Sequence, residues 1–234
     1  MNTLSLHYFL SIINKPKKIM KMNAKYFRDT AWSELKGKWG QAALFTFMYM
    51  IISGALSTLG IMDDLVGGLL SIFVLLPMQY GYDISFLEYA RTRENVKIEG
   101  IFYGFKNYGR VLLTGLLVGI YTFLWLLLLI VPGIIKALSY SMSFYIVKDN
   151  PELSSEECIK RSMEMMDGHK WELFCLGLSF IGWILLGIIT LGIGLIWIEP
   201  YMSTAYAHFY EYVKDEYEGK RNSEIQNLRI SELF

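Results

Sequence analysis

The stretch VLLTGLLVGIYTFLWLLLLIVPGIIKALSYSMSFYIV, residues 111–147, carries a single charge, Lys136. A helix rises about 1.5 Å per residue and the hydrocarbon core of a bilayer is about 30 Å thick, so one crossing takes about 20 mostly apolar residues. The stretch is long enough for two short crossings. Val131-Pro132-Gly133 is the place to divide it, because proline removes a backbone donor and glycine permits a tight bend. Residues 173–213 repeat the double length, with Thr190-Leu191-Gly192-Ile193-Gly194 as the turn, and residues 40–59 and 65–87 flank the polar Met62-Asp63-Asp64. The chain therefore reads as all-α, a six-helix transmembrane bundle of three hairpins. The expected spans are about 40–59, 65–87, 111–130, 133–147, 173–190 and 194–213, within a transmembrane domain over 22–213 and a cytoplasmic tail over 214–234.

Composition agrees with a lipid solvent. The 234 residues are 53% hydrophobic and only 19% charged, and the mean hydropathy is +0.33, too apolar for an ordinary soluble domain. A formal net charge of zero offers no bulk attraction for nucleic acid or another polyanion, so the placement of charge matters more than its sum. Lysine and arginine in short loops collect on the cytoplasmic side. Eight precede the first span, and the segments after the second, fourth and sixth spans hold Arg91, Arg93, Lys97, Lys106 and Arg110, then Lys148, Lys160, Arg161 and Lys170, then Lys214, Lys220, Arg221 and Arg229. The three opposite turns hold none, and Lys136 is the exception. Both termini are therefore expected inside, in the cytoplasmic membrane of a cell.

Each pair of spans is preceded by a polar stretch of helical period ending in an aromatic residue, read as an amphipathic interfacial helix. Phe27, Ala31 and Leu35 lead to Trp39; Ile98, Ile101, Phe102 and Phe105 lead to Tyr108; Ile159, Met163 and Met166 lead to Trp171. The third has a capping-box pattern at Ser154-Ser155-Glu156-Glu157 and a helix-ending Gly168. Pro77, Pro132 and Pro200 mark the second helix of each pair, which suggests a unit used three times. Aromatic belts and prolines near turns also recur in unrelated membrane hairpins. The first 21 residues put an apolar patch before four lysines, the reverse of a secretory signal. They are expected to be a loose extension or to precede a true start at Met20 or Met22.

Charge inside a membrane is rare and costly, which singles out Asp83, Lys136 and Glu199 as a candidate polar site. The plainer reading makes Lys136 and Glu199 a structural ion pair or two groups that snorkel outward, and lets Asp83 accept a hydrogen bond from Tyr80 or Tyr82. Catalytic, phosphate-cradling and metal-binding motifs are absent, and the three histidines are scattered, so no catalytic residue, cofactor or metal is expected. Cys158 and Cys175 read as inert thiols, and Met163, Met165 and Met166 as packing residues or an adaptable face.

From Asp149 onward the sequence carries Asp149-x-Pro151, Ser162, Met165, Gly168, Ser179-Phe180-Ile181-Gly182-Trp183, the 190–194 turn, Trp197, Pro200-Tyr201, Thr204-Ala205 and Phe209-Tyr210. Together with Leu35-Lys36-Gly37-Lys38-Trp39, this succession resembles domain-of-unknown-function family 975, bacterial multi-pass membrane proteins, over about residues 22–212. The resemblance implies no activity. It hints at a lipid-adjacent role through a distant likeness to the membrane part of some glycerophosphodiester phosphodiesterases, whose catalytic domain has no counterpart here. The expected function is a non-catalytic membrane module that meets lipids or a membrane or cytoplasmic protein partner through its cytoplasmic face. A small transporter or exporter subunit and, last, an intramembrane enzyme are the alternatives.

Overall fold

The computed structural model describes residues 22–61 and 66–231, and among these the regular structure is helical throughout. Residues 1–21, residues 232–234 and the centre of the expected turn at 60–64 lie outside the described residues.

Helix α1 (Ala24–Leu35) opens at Asn23, whose side chain accepts the Tyr26 N–H at 2.9 Å, satisfying one of the donors a helix start leaves free. It buries the expected stripe of Phe27, Ala31 and Leu35. There follow α2 (Trp39–Ile61), α3 (Val66–Thr92), a 3₁₀ helix η1 (Ile98–Phe105), α4 (Tyr108–Leu128), α5 (Ile130–Tyr140), α6 (Ser143–Asp149), α7 (Ser155–Met165), α8 (Lys170–Leu178), α9 (Ile181–Ile189) and α10 (Leu195–Ser231).

Four segments are long and apolar enough to cross a membrane: Trp39–Thr58, Tyr108–Leu128, Ile130–Asp149 and Lys170–Ile189. They coincide with the first, third, fourth and fifth expected spans. Helices α3 and α10 occupy the ranges of the other two. Hydropathy does not mark α10, because Glu199, Ser203, Thr204, His208 and Glu211 interrupt its apolar residues. Its polarity is compatible with burial by neighbours: α10 packs against α1, α2, α3 and α9, and Ala205, Ala207, Phe209 and Val213 are fully enclosed. It also runs on unbroken past residue 213 into the range of the expected tail.

Local detail departs from expectation at two points. The break between α4 and α5 falls at Leu129, which is extended (φ −158°, ψ 138°), three residues before Pro132. The proline sits in the first turn of α5, where its missing N–H costs nothing because early helical donors are unpaired anyway. The second interfacial element is a 3₁₀ helix, in which positions three apart share a face. Ile101 and Gly104 are buried and Phe102 and Phe105 exposed, while Ile98 at the first position is exposed although it is in register with Ile101, so the expected stripe is divided between core and surface.

Pro77 explains that geometry. Inside α3 it cannot donate to the Phe73 carbonyl one turn earlier, and the Tyr108 hydroxyl donates to that carbonyl instead, at 3.3 Å. Here η1 lies so close to α3 that a Cβ on Gly104 would stand 2.1 Å from the Pro77 carbonyl oxygen, and one on Gly81 2.3 Å from that of Ile101. Only glycine admits this approach. The third interfacial helix, α7, has its capping box: the Ser154 N–H donates to Glu157 at 2.8 Å and the Glu157 N–H to Ser154 Oγ at 3.3 Å. The Ser154 N–H also holds the Glu157 carboxyl below its usual range. Gly168 ends this segment with φ +87°, as expected. Met165 and Met166 are buried, which makes them packing residues.

Candidate functional site

Two of the four apolar segments are interrupted. The first divides into α5 and α6 at residues 141–142, the second into α8 and α9 at residues 179–180. Side chains from the basic end of the molecule attend to the backbone groups at both breaks. Ser162 of α7, fully buried, donates to the Ser139 carbonyl at 2.8 Å and accepts the Met142 N–H at 3.2 Å. Arg28 of α1 donates to the Ser179 carbonyl at 3.0 Å. An interrupted helix inside a membrane is tolerable where its freed backbone groups find such partners.

Between the two breaks lies a cavity of about 460 Å³, lined by Leu138, Met142, Phe144 and Tyr145 on one side and by Leu173, Phe174, Gly177 and Ile181 on the other. Asp83 of α3 and Tyr206 of α10 complete the wall. The volume falls in the range of small-molecule sites, about 300–1,000 Å³. Its exposed rim residues, Ser141, Leu178 and Ile181, belong to the two interrupted segments.

Asp83 is held in place by a relay across two helices. The Tyr49 hydroxyl of α2 donates to Gln79 Oε1 at 2.7 Å, and Gln79 Nε2 donates to Asp83 Oδ1 at 3.1 Å. The donor expected from Tyr80 or Tyr82 is thus Gln79; Tyr82 instead shares a 2.9 Å hydrogen bond with Thr46. Glu199 of α10 lies within electrostatic range of Asp83, Tyr49, Tyr82 and Tyr206. Neither carboxylate forms an ion pair with a described residue. The third candidate, Lys136, is elsewhere: its Nζ lies 5.1 Å from the centre of the Trp125 ring, a cation–π contact, and it does not pair with Glu199. Two of the three sequence candidates are therefore within electrostatic range of each other, and they are of like charge. Gln79 went unnoticed in the sequence, although a polar residue one helical turn before Asp83 in an apolar run is a readable signal.

A second cluster ties the basic end together. Asp149, at the end of α6, accepts two hydrogen bonds from Arg91 of α3 (2.8 and 2.6 Å), one from Lys214 (2.7 Å) and one from the Tyr210 hydroxyl (2.8 Å), both on α10. Arg91 also meets Glu211 at 2.6 Å. Glu34 of α1, buried, binds Arg93 at 2.5 Å and His208 at 2.7 Å. His169 bridges Glu172 at 2.9 Å and Glu216 at 3.4 Å. Arg110 donates to the Pro151 and Asn150 carbonyls and to Cys158 Sγ. Burial pushes the Cys158 thiol up against the opposing pull of Arg110, so it stays protonated and unreactive at neutral pH.

This layer gives the motif residue Asp149 its role, since one carboxylate joins three helices. The model for a family described as a protein of unknown function matches residues 20–138 and 126–217. The chain belongs to the DUF975 family. The match begins close to the expected end of the N-terminal extension and takes in both the relay to Asp83 and the layer around Asp149. No curated protein and no solved structure matches this DUF975 chain.

Proposed function

We propose that this DUF975 protein is a non-catalytic membrane module of six crossings with both termini in the cytoplasm. It acts there on lipid headgroups or on a protein partner. The observation that carries the reading is the ion-pair layer, which fixes α1, the ends of α3 and α6, and the middle of α10 as one surface. Around that layer stand exposed Trp32, Ile98, Phe102, Phe105, Tyr108 and Trp171, interleaved with Lys97, Lys106 and Lys170. Aromatic side chains prefer the headgroup level, and each basic residue near an anionic leaflet gains about 1 kcal/mol. A reporter fused at Phe234 tests the orientation, and activity of that reporter on the outer side would overturn it. Purification in mild detergent, followed by binding to vesicles with and without anionic lipid, tests the function. A solitary protein with no lipid preference counts against it.

A small transporter or exporter subunit is the second reading, favoured by a cavity between interrupted helices, the arrangement that many transporters use for substrate. Neutralising Asp83, Lys136 and Glu199 one at a time separates the two. Loss of a transport phenotype at unchanged protein level favours the transporter. An intramembrane enzyme has the least support, because no nucleophile stands beside a base in the cavity wall.

A further inference from the structure

The cavity presents a chemistry that the proposed work at the cytoplasmic face does not use. Asp83 Oδ1 is occupied by Gln79, while Oδ2 accepts no hydrogen bond from a described residue, and the carboxyl group forms part of the cavity wall. Glu199 adds a second negative group within range, and no described cation pairs with either. Four aromatic rings, Phe144, Tyr145, Phe174 and Tyr206, line the same space. Acceptor oxygens at one point and aromatic faces around it attract a desolvated ammonium twice over, by charge and by the ring quadrupole. A carboxylate enclosed by apolar walls is costly unless it is paired, and among the described residues no side chain supplies the partner. The remaining wall is aliphatic, and the rim at Ser141, Leu178 and Ile181 belongs to two crossings whose outer surfaces meet the acyl chains.

We infer that this cavity is a binding site for a single-chain amphiphile with a cationic amine head. The ammonium seats on Asp83 Oδ2 and the alkyl chain leaves between α5–α6 and α8–α9. The amine supplies the counter-charge that no described residue provides, and the chain continues into an environment of its own kind. Uncharged and anionic amphiphiles of equal length bind less well, because they leave the carboxylate unpaired or oppose it.

The test uses the full chain in nanodiscs of a zwitterionic lipid, titrated with dodecylammonium, dodecanol and dodecanoate and read by native mass spectrometry. Dodecylammonium is expected to bind at least about tenfold more tightly than dodecanol, and dodecanoate least of all. Asp83→Asn is expected to reduce that preference below about threefold. Gly177→Leu keeps the carboxylate but fills the space, since a Cβ there meets only the Tyr206 hydroxyl, at 3.4 Å; it is expected to abolish binding of all three probes. A smaller preference in the unaltered protein, or unchanged dodecylammonium binding in Gly177→Leu, overturns the inference whether or not Asp83→Asn folds. Mass analysis of what copurifies distinguishes the sources. An amine-bearing lipid carried through purification makes the natural ligand a membrane component, and an empty site that takes added dodecylammonium makes it an amphiphile from outside.

Discussion

At its start α4 buries Val111, Leu112, Thr114 and Gly115, while from Phe123 to the break at Leu129 every side chain is exposed, Leu127 to 75%. The same contrast runs through the molecule. Ile189 and Leu191 at the opposite turn are exposed to 76% and 93%, whereas α1, α7 and the middle of α10 are packed into the basic end. What differs is the source of cohesion. Lipid chains are as apolar as leucine, so the far ends of the helices gain nothing by burying apolar surface against one another. At the basic ends hydrogen bonds, ion pairs and aromatic packing give a net advantage to one arrangement. The fold is thus gripped at its basic end and presents exposed apolar side chains at the other.

Four substitutions probe this contrast, in falling order of effect. Ile120→Asp places a carboxylate midway along α4 on an exposed position. If that surface meets lipid, insertion should lose about 3 kcal/mol, seen as a fall in membrane-integrated protein at equal synthesis; unaltered integration would mean that the surface faces water. Asp149→Ala removes the carboxylate shared by Arg91, Lys214 and Tyr210. It should cost about 2–3 kcal/mol, somewhat less than for a fully buried pair because Arg91 keeps some solvent, measured by reversible SDS unfolding. Wild-type stability in that variant would show that the ion-pair layer does not hold the bundle. Gly104→Ala forces η1 away from Pro77 and should cost about 1–3 kcal/mol, with faster proteolysis between residues 93 and 107 as a local readout. Leu127→Ala should change unfolding by less than about 0.5 kcal/mol, although it removes as many heavy atoms as Asp149→Ala.

Much of this was legible in the residues. Four crossings stand out in hydropathy because lipid-facing helices have nothing to hide, and their bounds fall within a few residues of expectation. α10 escapes the same criterion: a helix enclosed by its neighbours is free to carry Glu199, Thr204 and His208, and only its position after the 190–194 turn marks it. Pro132 misled by three residues, because proline is as comfortable in a first turn as at the break itself. Asp83 and Glu199 were readable from the rarity of charge in such a setting, but their electrostatic proximity was not, since it depends on how α3 packs against α10. The cavity was least legible. The breaks that shape it, at 141–142 and 179–180, contain no glycine or proline; their backbone partners, Ser162 and Arg28, lie far along the chain.

The length of α10 has one more consequence. Thirty-seven residues at about 1.5 Å each make a rod of about 55 Å, with Glu199 and Tyr206 near one end and the contacts to Asp149 near its middle. The rest extends beyond the bundle. Torque applied to its far end turns the Asp149 grip and the Tyr206 side of the cavity wall as one shaft, so an event beyond the bundle has a direct mechanical route to the cavity.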